Sequence, residues 1–173
     1  MPLTVPQQTV AEDENRFKVL VTGRRFGKTH LCIRELCKSA AKNPRSINWY
    51  VSPSYSMSKQ NTWTQMVNTL SRLRWIKRQN EAELTLKLKN GSIIALKGAD
   101  SPDSLRGVGL DFLVVDEFQD VPQQAWTEVL RPTLSDKKGR ALFCGTPKGV
   151  GSWSHRLYTQ ALHEKDWNAW QFT

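Results

Sequence analysis

A seven-residue run near the amino terminus has the composition of a phosphate-binding loop. The run GRRFGKT, residues 23–29, lies between an apolar stretch and a segment with helical periodicity. Such a loop surrounds a phosphate with backbone N–H groups, and its Lys and hydroxyl reach the terminal phosphates and Mg²⁺. Lys28 and Thr29 supply those two groups. The first glycine of the usual pattern would stand at Thr22, but Gly23 comes one position late. We predict that the loop binds nucleotide through Gly23, Arg24, Arg25, Phe26, Gly27, Lys28 and Thr29.

Two acidic residues follow an apolar segment farther along the chain. Residues 112–115 are all apolar, and Asp116 and Glu117 come directly after them. A carboxylate at the end of a strand can support Mg²⁺, and a second one can take a proton from the attacking water. We therefore expect Asp116 to hold the metal together with Thr29, and Glu117 to be the general base. The loop and these acids together predict Mg²⁺-dependent ATP hydrolysis.

A third apolar segment, residues 141–144, ends in another candidate group. The residues that follow it are Gly145, Thr146 and Pro147. By itself this is the composition of an ordinary turn. Beside the other two elements, the hydroxyl of Thr146 stands where a γ-phosphate could be sensed.

The composition indicates a folded, basic protein. The length of 173 residues allows one domain, and 39% hydrophobic with 24% charged residues is typical of globular chains. The net charge of +9 suits a polyanion such as nucleic acid, although a basic balance also serves solubility. The densest basic stretch, which could face DNA or simply be a solvated surface, contains Arg72, Arg74, Lys77, Arg78, Lys87 and Lys89.

Other sequence features argue against an exported protein and against a structural metal site. The apolar segments are far shorter than the roughly 18 residues that span a bilayer, and the amino terminus lacks a basic and apolar leader. We expect a soluble, unexported protein with no membrane partner. Three cysteines cannot all pair and lack the spacing of a zinc site, so we expect buried thiols.

The order of patterns predicts an α/β fold with a mainly parallel central sheet flanked by helices. Alternation of apolar and polar residues at 84–89, followed by Asn90-Gly91 and the segment 92–97, predicts a β-hairpin insertion with a mirror-image type I turn, within residues 84–97. Strands are predicted at residues 17–21, 47–51, 112–115, 141–144 and 167–172. Helices are predicted after the loop, around residues 31–40, and at 58–73, 122–130 and 153–163.

In this order and spacing, the motifs resemble the ATPase domain of the large terminase subunit of tailed bacteriophages. The resemblance rests on PQQ at 6–8, RFKVLVTGRRFGKT at 16–29, SLRG at 104–107, LVVDE at 113–117 and FCGTPKG at 143–149. It implies a P-loop NTPase of the additional-strand class, with residues 1–173 as a single ATPase domain. The family's lid and nuclease would be absent. Because the chain ends on a predicted strand, we expect a truncation.

The same resemblance implies a function. ATP hydrolysis would drive double-stranded viral DNA into a procapsid in the host cytoplasm. The chain would act in a homo-oligomeric ring, a pentamer, on the portal, together with the small terminase subunit. Without the acidic cluster of the family's nuclease, this chain is not expected to cleave DNA.

The resemblance also implies roles for further residues. Gln7 or Gln8 would contact adenine, and Thr146 would belong to the coupling motif. Arg24 would reach the γ-phosphate of its own subunit, and Arg106 that of a neighbouring subunit. A guanidinium there neutralises charge that develops in the transition state. The alternative for each arginine is a solvated loop residue.

Two other functions fit parts of the pattern. DEFQD at residues 116–120 resembles the extension found in superfamily 1 helicases, but the Arg-Arg-Phe loop and the CGTP run at 144–147 depart from them. A catalytically silent module that docks on DNA or the portal is the second alternative. It has no physical need for Lys28, Thr29 and the two acids together.

Overall fold

The computed structural model describes residues 2–173, in which a single eight-stranded sheet forms the centre. Its order is β3-β4-β5-β2-β6-β7-β1-β8. The strands are β1 Phe17–Thr22, β2 Ile47–Ser52, β3 Ile76–Asn80, β4 Thr85–Leu88, β5 Ile93–Gly98, β6 Phe112–Asp116, β7 Arg140–Gly145 and β8 Trp167–Phe172. All five predicted strands are confirmed.

Helices flank the sheet. They are α1 Val5–Glu12, α2 Lys28–Lys42, α3 Tyr55–Ser58, α4 Thr64–Arg72, α5 Arg131–Thr133 and α6 Trp153–Ala161. Two π-helical segments, Lys59–Trp63 and Ala125–Leu130, precede α4 and α5, and two 3-10 turns lie at Pro102–Leu105 and Phe118–Asp120. No helix among residues 2–173 is long and apolar enough to cross a membrane.

The helix predicted at 58–73 starts earlier than expected. It runs from Tyr55 to Arg72 through the π-helical segment. The cause of the early start is Ser54, whose side chain accepts a hydrogen bond from the backbone N–H of Met57 at 3.3 Å. Such a cap satisfies one of the N–H groups that a helix start leaves without a partner.

Six neighbouring strands, from β5 to β8 in the sheet order, pair in parallel, and β7 lies between β1 and β6. The interposed β7 is the additional strand that the resemblance implies. Both faces of the sheet are covered, which explains the all-apolar β6: Val114 packs in one hydrophobic cluster and its neighbour Leu113 in the other. The carboxyl ends of β1, β7 and β6 therefore lie side by side.

The three cysteines are buried and unpaired, as expected from their number and spacing. Cys32 of α2 and Cys144 of β7 lie in the same cluster, with their Sγ atoms 3.3 Å apart. Burial raises the pKa of the Cys37 thiol to about 12.

The predicted hairpin is confirmed, but the predicted turn type is wrong. Gly91 N donates to Leu88 O at 3.0 Å, and Leu88 N donates to Ser92 O at 2.8 Å, so a loop of three residues, 89–91, lies between the bonded residues Leu88 and Ser92. A mirror-image type I turn centred on Asn90-Gly91 needs positive φ at both, and only Gly91, at 85°, has it. Asn90 instead ties the turn to α2: its Nδ2 donates to Ala40 O at 2.7 Å.

Candidate active site

The carboxyl ends of β1, β6 and β7 bring the predicted groups to one cleft. The cleft has a volume of about 410 Å³. Its lining includes Arg24, Thr29, Asp116, Glu117, Gln119 and Thr146. Five of these six residues were predicted from the sequence.

The phosphate-binding loop joins β1 to α2, as its motif predicts. Gly27 has φ 85°, and a Cβ there would lie 2.7 Å from Nε2 of Gln7. A side chain at this position would therefore be strained and would clash. Lys28 is buried, and its Nζ donates to Gly23 O at 3.3 Å. Because α2 begins at Lys28, the N–H groups of its first turn lie directly behind the loop, where an anion is stabilised.

Of the two adenine candidates, only Gln7 touches the loop. It is buried on α1, and its Nε2 donates to Phe26 O at 2.8 Å and to Gly27 O at 3.4 Å, while its Oε1 accepts from Thr4 N at 3.0 Å. The amide of Gln7 is thus engaged at both ends in holding the loop. Gln8 is exposed and donates to Leu3 O instead.

The remaining loop residues have different surroundings. Arg24 is exposed and lines the cleft. Arg25 is also exposed, and its φ of 68° is left-handed. The ring of Phe26 stacks on that of Phe172 with centroids 5.4 Å apart, which attaches the loop to β8.

Asp116 ends β6 in an enclosed position. Its Oδ2 accepts a hydrogen bond from the Tyr50 hydroxyl at 2.5 Å. Its Oδ1 is buried and has no hydrogen-bond partner within residues 2–173. Burial raises the pKa of Asp116 above its ordinary range, and the nearby carboxylate of Glu117 adds to this rise, while the Tyr50 hydrogen bond opposes it. A buried oxygen without a partner is the donor that an oxygen-seeking cation requires.

Glu117 follows in a strained conformation. Its φ of 47° and ψ of 44° are left-handed, and it precedes the short turn Phe118–Asp120. Its Oε2 accepts a hydrogen bond from Nε2 of Gln119 at 2.6 Å. Non-glycine residues in this conformation are uncommon and cluster at functional sites.

Gln119 joins Glu117 to Thr146. Its Nε2 also donates to Thr146 Oγ1 at 3.2 Å, and its Oε1 accepts from Thr146 N at 3.2 Å. The roles of Gln119 and Tyr50 were not predicted from the sequence. The DEFQD run was interpreted only as a likeness to helicases. Tyr50 lies in the apolar run of β2, where no sequence feature indicates that its hydroxyl donates a hydrogen bond to Asp116.

Arg106 does not line this cleft. It lies after the turn Pro102–Leu105, and its Nε is 3.7 Å from Asp103 Oδ1 in an exposed ion pair. It borders a second cleft of about 350 Å³ together with Glu128 and Asp136. Arg106 therefore lies outside the cleft that Arg24 lines.

The predicted basic stretch lies at one edge of the sheet. All six of its side chains are exposed, on the end of α4, on β3 and β4, and on the loops beside them. We call this surface the basic edge, consisting of Arg72, Arg74, Lys77, Arg78, Lys87 and Lys89. In the sheet order, β3 is the outermost strand on this side.

The chain is similar to phage proteins in sequence. It is 29% identical over 160 residues to the terminase large subunit of Thermus phage G20c, covering 82% of this chain and 33% of that protein. The chain thus spans about a third of the length of this curated relative.

Solved structures of the same kind share the fold. The large terminase ATPase domain of Thermus phage P74-26 aligns with a TM-score of 0.88 at 24% identity, covering 99% of this chain and 80% of that one. The large terminase of a thermophilic bacteriophage, solved in complex with ADP, aligns with a TM-score of 0.84 at 18% identity, covering 99% and 46%. The family described as "Terminase large subunit, T4likevirus-type, N-terminal" matches residues 19–173, and the chain belongs to this family of terminase large subunits.

Proposed function

We propose that this chain hydrolyses ATP and is the motor part of a phage DNA-packaging terminase. The observation that carries the proposal is the meeting of Thr29, Asp116, Glu117 and Thr146 in one cleft, directly beside the loop that contains Lys28. The similar P74-26 structure is described as an ATPase domain, and the terminase of the thermophilic bacteriophage has been solved with ADP. Membership in the terminase family also argues against the helicase alternative.

The residues present fit a Mg²⁺ ion. Asp116 Oδ1 is buried without a partner in the described chain, and Thr29, which carries a hydroxyl, lines the same cleft. Mg²⁺ prefers such oxygen ligands, usually through one or two carboxylates and the substrate phosphates. We assign Thr29 and Asp116 to hold it. When bound, it neutralises charge on the phosphate oxygens.

The protein's own groups then have separate tasks. The ammonium of Lys28 leaves Gly23 O for the terminal phosphates, where backbone N–H groups of the loop also bind. Glu117 accepts a proton from the water that attacks the γ-phosphorus. Arg24 neutralises charge on the transferring group within its own subunit, and Thr146 contacts the γ-phosphate from the end of β7. Such positioning and charge stabilisation account for most of the catalysis of phosphoryl transfer.

The proposal extends to partners. We infer that the chain acts on double-stranded DNA as part of a ring on the portal, in the host cytoplasm and with the small subunit. The net charge of +9 and the exposed basic edge support contact with DNA phosphates. Arg106 lies outside the ATP-binding cleft proposed for its own chain, which supports a role at a neighbouring subunit. Five copies is the number we propose.

We also propose that this chain does not cleave DNA. Two-metal nucleases require a carboxylate cluster, and residues 2–173 contain no group of three or more His, Cys, Asp or Glu side chains placed to hold a metal ion. Linearisation of supercoiled plasmid by the purified chain with Mg²⁺ or Mn²⁺ would contradict this.

Phosphate release tests the proposed function. The purified chain is incubated with ATP and either Mg²⁺ or a chelator, with and without duplex DNA, while calorimetry measures nucleotide binding. We expect binding and slow, Mg²⁺-dependent release, because an isolated chain lacks a neighbour's Arg106. Failure to bind ATP with Mg²⁺ at millimolar nucleotide would overturn the proposal. Binding without any release would instead support the silent docking module.

A further inference from the structure

We propose that Gln119 is a positioning residue that couples the general base to the γ-phosphate-sensing strand end. Its side-chain amide fixes the carboxylate of Glu117 and connects it to Thr146, so that a displacement of Thr146 moves the base. The inference rests on the proposed function. It adds a residue whose side chain acts through Glu117 rather than on the nucleotide.

Both ends of the Gln119 amide contact groups of this site. Its Nε2 lies 2.6 Å from Glu117 Oε2, 3.1 Å from Asp120 Oδ2 and 3.2 Å from Thr146 Oγ1, and its Oε1 lies 3.2 Å from Thr146 N. The shortest of these contacts is the one to the base. Gln119 is only 8% exposed, so little water competes for these contacts.

The surrounding packing leaves the amide little freedom. Phe118 is fully buried, and its ring makes edge contacts with Phe143 and Trp153. A Cβ at Gly145 would lie 2.3 Å from Oε1 of Gln119 and 2.8 Å from the ring of Phe118. Position 145 therefore has no room for a side chain while Gln119 occupies this place. Gly145 immediately precedes Thr146. Because Gly145 has no side chain, Gln119 can approach β7 closely, and its amide contacts Thr146 as well as Glu117.

An amide suits both partners. Glu117 as a carboxylate accepts hydrogen bonds, and the backbone N–H of Thr146 donates one. Glutamine supplies an N–H to the first and an oxygen to the second. A carboxylate at position 119 would keep the acceptor but repel Glu117, and an apolar residue would lose both contacts. These differences make the role testable by substitution.

The experiment measures single-turnover phosphate release, KM and ATP-γ-S affinity for the wild type, Gln119→Leu and the isosteric Gln119→Glu. The control is Gln124→Glu, which adds the same charge at an exposed residue that also lies between β6 and β7. We expect both Gln119 variants to lower kcat by about tenfold to a hundredfold, because a misplacement of 1 Å can cost about a hundredfold. Nucleotide affinity should stay within about twofold of the wild type, as should both parameters of the control.

Two further readouts separate positioning from a general structural effect. In Gln119→Glu, two carboxylates share one site and retain a proton to higher pH, so the acid limb of the pH–kcat profile should move upward. In the Glu117→Gln background, Gln119→Leu should have no additional effect on the residual rate, because the group that it positions is gone.

Each outcome decides the inference. A wild-type chain that binds ATP without releasing phosphate would refute the proposed function, and this inference with it. An active wild type with unchanged kcat in Gln119→Glu would overturn the inference alone. Additive losses in the double variant, or equal losses of affinity and kcat, would also overturn it. If Gln119→Leu fails to fold, Gln119→Glu decides through its kcat and pH profile.

Discussion

The position of Asp116 opposes the stability of the folded protein. One of its oxygens is buried without a partner in the described chain, and burial raises its pKa. A charged carboxylate in such a place is costly until a cation neutralises it. Tyr50 offsets part of this cost through its hydroxyl. The same feature that fits Mg²⁺ should therefore destabilise the protein in the absence of nucleotide.

We predict that Asp116→Asn raises the Tm of the nucleotide-free protein while abolishing Mg²⁺-dependent phosphate release. The amide removes the buried charge and can still accept from Tyr50. In a chain of this length, each kcal/mol recovered raises Tm by about 2–4 °C. Thermal unfolding without nucleotide measures the effect at neutral pH.

The pH dependence gives this prediction a second arm. Because the folded-state pKa of Asp116 lies above the ordinary 3.8, the folded wild type binds this proton more tightly than the unfolded chain. Wild-type stability from this group therefore rises as pH falls from above the folded-state pKa towards 3.8. The Tm advantage of Asp116→Asn should shrink over that range. A lower Tm than the wild type at neutral pH would contradict the argument.

At the scale of elements, the end of β7 is shaped by close packing. Gly145 has no space for a methyl group beside Phe118 and Gln119. We predict that Gly145→Ala lowers both kcat and Tm, because overpacking costs about 1–3 kcal/mol. Gly109→Ala is the matched control, since its Cβ would make an ordinary contact 3.5 Å from the side chain of Lys137. Equal Tm values for the two variants would contradict this prediction, because they would mean that the turn Phe118–Asp120 moves aside without loss of stability.

The sequence predicted the parts of the site that depend on local order. A strand followed by a turn and a helix determines where Lys28 lies, and an all-apolar run followed by two acids determines where Asp116 and Glu117 lie. The contacts of Gln119 could not be predicted in this way. They depend on β7 being the neighbour of β6, and Gln119 and Thr146 are far apart in the chain.

The strand β3 and the helix α1 were not predicted. The strand β3 exposes Lys77, Arg78 and Gln79 in succession, so it shows no alternation of apolar and polar residues. It forms because β4 offers a partner edge. The short helix α1 buries a glutamine together with Val10 and Ala11, and it is held by packing on α2 and by the amide of Gln7 at the loop. Unlike β3, α1 also has a local signal that was not used in the prediction, the capping pair Thr4 and Gln7 with a Pro in the first turn.

The basic edge is the surface at which we expect DNA to bind. We predict that duplex DNA binds weakly, without sequence preference and with a steep salt dependence, because Lys and Arg contact phosphates rather than bases. Replacing Lys77 and Arg78 by Ala should weaken binding and reduce the salt slope by about 0.9 for each lost phosphate contact.

The control for this prediction removes the same number of charges elsewhere. Lys138 and Lys165 are exposed in the loops that precede β7 and β8. Their double alanine variant should bind nearly as the wild type in a fluorescence anisotropy titration at several salt concentrations. Equal losses for both double variants would make the basic edge an ordinary solvated surface.

For the whole molecule, the positions of two arginines predict how subunits cooperate. Arg24 lines its own cleft, whereas Arg106 borders a different one. We predict that mixing Arg106→Ala with Glu117→Ala restores part of the activity, because the first chain keeps its base and borrows Arg106 from the second. An arginine supplied in this way is worth about 10³ to 10⁵ in rate. Phosphate release is measured at protein concentrations where the wild type assembles.

A second mixture tests the role of Arg24 within its own subunit. A chain carrying both Arg24→Ala and Arg106→Ala should gain nothing from a Glu117→Ala partner, because the partner cannot replace Arg24. No recovery in the first mixture would mean that Arg106 does not act between subunits. Recovery in the second mixture to the level of the first would remove the assignment of Arg24.

In the proposed function, one cleft binds ATP through its loop and hydrolyses it through Glu117. The most direct measurement compares ATP affinity and phosphate release at saturating nucleotide in the wild type, Lys28→Ala and Glu117→Gln. We predict that Lys28→Ala loses tight binding, whereas Glu117→Gln keeps its affinity and loses about 10² to 10⁴ in turnover, since a general base acts on water and not on the bound phosphates. Wild-type turnover in Glu117→Gln, or equal loss of affinity in both variants, would contradict the account.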